Sequence, residues 1–201
     1  MIHVVEQPEP HDFHSKVRIP GEAFLRRNPN PKSNQFERCW SDCLSDLYTS
    51  YNGICAYTAS ILASSERSVD HYVPKQKAKH LAYEWSNYRL CLPRVNGHKK
   101  NSEDVIDPFH IQNGWFNIDF TSFFIFPADE LPEYLTVAII ATITQLKLNS
   151  DDILVRARRS AVVEYVKNNL PFEDIERYHP FLAFELDRQG LRHQIKSILT
   201  P

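Results

Sequence analysis

The sequence has no CxxC pair, no Walker-type GxxxxGK[ST] stretch and no apolar run long enough to cross a bilayer. Its four cysteines, Cys39, Cys43, Cys55 and Cys91, are too sparse for a disulfide framework and read as reduced thiols. Without a Walker motif the chain does not itself hydrolyse nucleotide to drive translocation. The longest apolar stretch, 135–143, contains Thr136 and Thr142 and falls short of the roughly 20 residues a spanning helix needs. No secretory leader is visible, so the expectation is a cytoplasmic protein that makes no membrane contact. Charge of neither sign dominates: 23 Lys and Arg stand against 25 Asp and Glu, a net −2. No global basic field advertises nucleic acid, and any such binding requires a local patch. Repeats and low-complexity tracts are absent apart from Asn28-Pro29-Asn30-Pro31.

What is present is an ordinary globular composition, 42% hydrophobic and 12% aromatic over 201 residues, enough for one cored domain with a helical appendage. Residues 1–34, with Pro8, Pro10, Pro20, Pro29 and Pro31, read as an extended arm. Over 35–51, Trp40, Leu44, Leu47, Tyr48 and Tyr51 recur at helical spacing, with Gly53 placed as a C-terminal cap. Segments 54–62, 68–73 and 88–92 read as strands, Pro74 ends the second, and Pro93 opens a short helix. The Asn113-Gly114 pair predicts a hairpin turn, followed by a buried apolar segment over 120–126. From 128 onward the chain reads as helical. Asp129 caps a first helix to about 147, Ser150 or Asp151 a second to about 168, and Pro171 opens a third region reaching 189. Arg156, Arg158 and Arg159 read as a solvated helix face. The expected organisation is therefore an arm (1–34), a core with its preceding helix and following hairpin (35–127), and a C-terminal helical region (128–201).

Chemistry concentrates in 68–101. Asp70 and His71 stand together, Trp85-Ser86-Asn87 follows, and Asn96-Gly97-His98-Lys99-Lys100 closes the stretch. A carboxylate, two carboxamides and two imidazoles thus lie among Lys75, Lys77, Lys79, Arg89, Arg94, Lys99 and Lys100, with Tyr72, Tyr83 and Trp85 as stacking surfaces. Taken singly, each residue has a plain structural reading: Asp70 in a turn, His71 in a core, the lysines on a solvated face. As a set they suit a divalent cation, a general base and a polyanionic substrate together, imidazole being the side chain best placed in pKa to act as a base near neutral pH.

Val69-Asp70-His71, then Trp85-Ser86-Asn87, then Asn96 followed three residues on by Lys99, resembles the HNH endonucleases of the ββα-metal type, over roughly residues 54–101. The resemblance implies an α+β protein: a ββα-metal core flanked by an N-terminal helix and a C-terminal helical region. It implies metal-dependent cleavage of DNA, with RNA as the alternative substrate. His71 is then the general base, Asp70 and a helix residue hold the ion, and Asn87 orients the loop and the His71 ring. Lys75, Lys77, Lys79, Arg94, Lys99 and Lys100 are the expected nucleic-acid contacts. The ion is expected to be Mg²⁺, with Mn²⁺ or Ni²⁺ as alternatives. For the helix ligand, the spacing to Lys99 selects Asn96, while donor chemistry favours His98. Relatives that frame the site with two CxxC pairs bind structural zinc. Here Cys55 and Cys91 each stand alone, so no structural zinc is expected. The resemblance further implies an antiphage defence effector working beside a separate ATPase subunit. The rival reading is a non-catalytic nucleic-acid- or protein-binding module on the same scaffold.

Overall fold

The computed structural model describes residues 1–199. The chain divides into two compact units, one formed by Val5–Ala56 with Leu62–Glu103, the other by Met1–Val4, Tyr57–Ile61 and the chain from Asp104 onward. Among the described residues there are eight α-helices and two antiparallel two-stranded sheets, so the protein is α+β. No helix of the described residues is long and apolar enough to cross a membrane.

In the first unit, a helical turn over His14–Arg18 runs into α1 (Ile19–Arg27). The segment is therefore helical where its prolines suggest an arm. Pro20 sits in the first turn of α1, where a missing N–H costs nothing. The buried residues Phe13, Val17, Gly21 and Phe24 share one face at spacings of three and four. Gly21 has a packing reason: a Cβ there would fall 2.1 Å from the Tyr83 ring.

The expected single helix over 35–51 is broken into 3₁₀ turns at Ser33–Gln35 and Cys39–Cys43, followed by α2 (Leu44–Ser50). Gly53 follows in the left-handed region at φ +70°, its N–H on the Tyr48 carbonyl at 2.8 Å. Residues 54–62 form turns rather than a strand, although Cys55, Ala56 and Tyr57 are buried.

β1 (Ser68–His71) pairs antiparallel with β2 (Tyr88–Cys91) in the register Ser68↔Cys91 through His71↔Tyr88. Pro93 starts α3 (Pro93–Lys99), which packs on β1.

In the second unit, β3 (Phe116–Ile118) pairs antiparallel with β4 (Ile125–Pro127). The turn between them is not Asn113-Gly114. Asp119 makes it, its carboxylate accepting from the N–H groups of Thr121 and Ser122 and from the Ser122 hydroxyl. Phe120, Phe123 and Ile125 are buried as expected of 120–126, but Phe124 and Phe126 face solvent.

α4 (Glu133–Gln145) starts behind Pro132 rather than at Asp129, whereas α5 (Asp152–Lys167) is capped by Asp151, which accepts from the Ile153 N–H at 3.0 Å. The third helical region splits into α6 (Phe172–Tyr178) and α7 (Pro180–Arg188), because Pro180 disfavours the helical conformation at His179. α8 (Ile195–Leu199) ends the described chain. Arg158 is not on a solvated face. It is 6% exposed and donates to the Phe123 and Leu148 carbonyls at 2.9 and 2.7 Å.

Candidate active site

The end of β1 carries Asp70 and His71, and neighbouring strand residues point to opposite faces. Asp70 goes inward. It is 2% exposed, and its Oδ1 lies 3.1 Å from the ammonium of Lys99. Lys99 is itself fully buried and also donates to the carbonyls of His71 at 3.0 Å and Tyr72 at 2.9 Å. Its ammonium also lies over the Tyr72 ring, 5.6 Å from the centroid. The lysine expected among the phosphate contacts is thus held inside, clamping the chain where β1 gives way to the loop.

His71 remains partly open to solvent, between the edges of Trp40 and Tyr88 with ring centroids at 4.8 and 5.1 Å. Its Nε2 lies 2.9 Å from the Ala82 carbonyl, to which the Tyr88 hydroxyl also donates at 2.9 Å. A carbonyl only accepts, so Nε2 carries the proton and Nδ1 presents a lone pair. Burial lowers the ring's pKa to about 3, with the positive charges of Lys75 and Lys99 acting in the same direction against the hydrogen bond to Ala82. The imidazole is therefore neutral throughout the physiological range.

Asn87 fixes the loop that brings Ala82 into place. Its Oδ1 accepts from the Val73 N–H at 2.8 Å, and its Nδ2 donates to the Val73 and Leu81 carbonyls, each at 3.0 Å. Its own carbonyl accepts from the Tyr72 N–H at 2.9 Å. One buried carboxamide thus pins both ends of the loop from Val73 to Leu81, directly before the carbonyl that orients His71.

On α3, Asn96 leans onto β1. Its Nδ2 donates to the Ser68 hydroxyl and the Val69 carbonyl, both at 3.1 Å. The carbonyl partner settles which end of the amide is nitrogen. Oδ1 makes no hydrogen bond among the described residues. Asn96 on the helix is thus tied through Nδ2 to Ser68 and Val69, next to Asp70 on β1. The Asn96 amide and the Asp70 carboxylate offer hard oxygen donors of the kind a small divalent cation takes, and Asp70, 2% exposed, also faces the Lys99 ammonium. His98, two residues along α3, projects about 200° around the helix from Asn96. Among the described residues no group of three or more His, Cys, Asp or Glu is arranged around a common point.

The basic residues are used unevenly. Lys75 lies over the Trp40 ring at 4.7 Å and the Phe36 ring at 5.7 Å, and burial lowers its pKa. Lys77 pairs with Glu103, and Lys79 donates to the Pro29 carbonyl at 2.9 Å and to Asn30. Arg94 and Lys100 are exposed. Arg89, on β2, is 3% exposed and donates to the Ser86 and Tyr88 carbonyls at 2.7 and 2.9 Å.

Cys55 and Cys91 are fully buried. Cys91 donates to the Leu92 carbonyl at 3.3 Å, Cys55 accepts from the Leu92 N–H at 3.4 Å, and burial pushes the Cys91 thiol up. Cys39 and Cys43 are buried too.

Sequence reasoning alone did not reach three parts of this site. The Ala82 carbonyl has no side-chain signature. Trp40 and Tyr88, which wall the ring, look like core residues. Comparison with known proteins finds no family model that matches the chain and no curated protein that matches it.

Proposed function

We propose that the chain is a metal-dependent endonuclease of the HNH type, hydrolysing phosphodiester bonds in DNA. The observation that carries this reading is the His71–Ala82 hydrogen bond. It fixes the tautomer and leaves Nδ1 as a neutral, partly solvent-facing acceptor one residue from a buried carboxylate. Two antiparallel strands followed by a helix that ties a carboxamide back onto the first strand support a ββα-metal core.

In this mechanism Nδ1 of His71 takes a proton from the attacking water, and the Ala82 carbonyl stabilises the imidazolium that results through its hydrogen bond to Nε2. Asn87 keeps Ala82 in place by holding the loop, so the ring needs no reorganisation during the step. Trp40 and Tyr88 limit water around the ring and fix its plane. Asp70 and Asn96 would hold a divalent ion, which when bound would supply positive charge beside the phosphate oxygens. Lys99 holds the Asp70 carboxylate and the loop start without itself meeting substrate. Arg94 and Lys100, exposed around α3, offer charge to the nucleic-acid backbone.

The test is incubation of the purified protein with plasmid, single-stranded DNA and RNA, with Mg²⁺, Mn²⁺ or EDTA, beside His71→Ala. Metal-dependent nicking that falls by at least about 10²-fold in His71→Ala is expected. No cleavage of any substrate by folded protein with either metal would defeat the reading. Cleavage of RNA alone would keep the mechanism and change the substrate.

A further inference from the structure

The second unit contains a cavity of about 380 Å³ that the nuclease reading does not use. Its lining comes from Tyr57–Ile61, α5, α6 and the residues that follow each helix. Three apolar side chains left in contact with solvent converge on it: Ile61 and Leu170, each 37% exposed, and Tyr178, 39% exposed. Scattered surface apolar residues need no explanation, but three around one concavity mark a place where something apolar can be covered.

The polar groups of this cavity point to one kind of occupant. Glu164 and Asp174 both line it, and neither carboxylate has an ion pair or hydrogen bond among the described residues. Among the described residues no lysine or arginine lines it. His179 lines it as well, and its Nδ1 is buried with no hydrogen-bond partner among the described residues. Burial lowers the pKa of that imidazole against the pull of Glu164, so the ring that lines the cavity is uncharged. Tyr165 and Tyr178 add aromatic rings. An anionic ligand would meet two carboxylates and no compensating cation. An ammonium group would meet two carboxylates, ring faces and an uncharged imidazole.

We propose that this cavity binds a small organic amine, a molecule with one ammonium group on an aromatic or branched apolar body. The size agrees: small-molecule sites start at about 300 Å³ and are mostly apolar with a few placed polar groups. The ammonium group sits with Glu164 and Asp174. The apolar body covers Ile61, Leu170 and Tyr178.

The experiment uses the full chain and three probes sharing one ring: tryptamine (cationic), indole (neutral) and indole-3-acetate (anionic). Saturation-transfer NMR and calorimetry rank their binding, and circular dichroism checks the fold of each variant. Tryptamine should bind at least about tenfold more tightly than indole, and indole-3-acetate should be weakest, tenfold being about 1.4 kcal/mol. Glu164→Gln combined with Asp174→Asn should erase the advantage of tryptamine while leaving indole unchanged. Ala161→Phe, which fills the cavity from α5, and Leu170→Trp, at its rim, should each block all three probes. The proposal is overturned if folded protein shows no transfer to tryptamine at about millimolar concentration, a level at which even weak specific sites fill. It is also overturned if all three probes bind alike, or if binding survives both blocking variants.

Discussion

Lys99 Nζ sits 3.1 Å from Asp70 Oδ1 with both side chains out of solvent, 0% and 2% exposed. This is a strand-to-helix ion pair, β1 to α3, and it changes how the acidic residue must be tested. A buried charge that loses its partner costs about 3–5 kcal/mol, whereas removing both charges together is often nearly neutral. Lys99→Met should therefore lower unfolding free energy by about that amount, and Lys99→Met with Asp70→Asn should recover most of it. Chemical denaturation of the three variants checks this. A Lys99→Met protein as stable as wild type would mean that the pair does not hold the strand to the helix. Asp70→Asn is accordingly a better probe of metal dependence than Asp70→Ala, since the amide oxygen can still accept from Lys99.

Asn87 should behave as a positioning residue. Asn87→Ala removes three hydrogen bonds that hold Val73 and Leu81. Leaving those buried groups unpaired is expected to cost about 1–3 kcal/mol of stability. Misplacing Ala82 should lower kcat by about tenfold or more, with KM little changed, because substrate contacts lie elsewhere. Asn87→Asp can keep the acceptor toward the Val73 N–H but not the donors, and should fall between. A variant that loses stability with unchanged kcat would show that the loop does not set the ring.

Much of this arrangement was legible beforehand and some was not, for reasons that differ by residue. Pro93 opens α3 because proline geometry acts locally, and β2 and α3 fall close to the expected bounds, whereas β1 ends at His71, ahead of Pro74. A count of prolines hides helix α1. Pro20 in a first turn is compatible with helix, and the repeat of Phe13, Val17, Gly21 and Phe24 was there to be read. Residues 54–62 show the opposite failure, since Cys55, Ala56 and Tyr57 are buried without joining a ladder. Apolar character announces burial, not strand pairing. The hairpin of β3 and β4 turns on Asp119, whose Asx-type contacts rank below an Asn-Gly pair in any sequence reading. Lys99 was the least legible. Nothing in a lysine's identity says that its ammonium will find a carboxylate and two carbonyls inside the fold, and only the assembled strand and helix supply them.

Stability should depend on pH through His71. Its folded pKa is about 3, below the ordinary 6.5, so the native state favours the neutral ring. That contribution is complete above about pH 6.5, and it is lost as pH falls toward 3, because the unfolded chain binds the proton first. The slope from this one group has a ceiling of about 1.4 kcal/mol per pH unit, reduced here because the ring keeps some solvent contact. His71→Gln lacks the titrating group. Between about pH 6.5 and 4.5 it should lose less stability than wild type, by about 1–2 kcal/mol on that slope. Parallel loss in both proteins by denaturant titration would remove His71 from acid unfolding.

The choice between Asn96 and His98 can be put to a direct test on α3. Asn96 reaches β1 through Nδ2, which donates to Ser68 and Val69, and so leaves its oxygen as the available donor beside the strand that carries Asp70. Residues two apart on a helix face about 200° apart, so Asn96 and His98 do not aim at one ion from the same regular turn. Asn96→Ala should abolish Mg²⁺-supported cleavage. It should also cost about 1 kcal/mol of stability for the lost contacts to β1. Asn96→Asp restores a hard oxygen and should recover part of the Mg²⁺ activity, although the contacts from Nδ2 to the Val69 carbonyl and the Ser68 hydroxyl are lost. His98→Ala should leave Mg²⁺ activity within about tenfold, a loss of at most about 1.4 kcal/mol in transition-state stabilisation. If His98 were the ligand instead, the imidazole would favour Ni²⁺ or Co²⁺ over Mg²⁺, and His98→Ala would lose activity with every metal. Metal-dependent nicking of plasmid by the three variants, each across Mg²⁺, Mn²⁺ and Ni²⁺, separates the two. An inactive His98→Ala beside an active Asn96→Ala, with both folded, would move the metal to the imidazole and leave Asn96 as a clamp between α3 and β1.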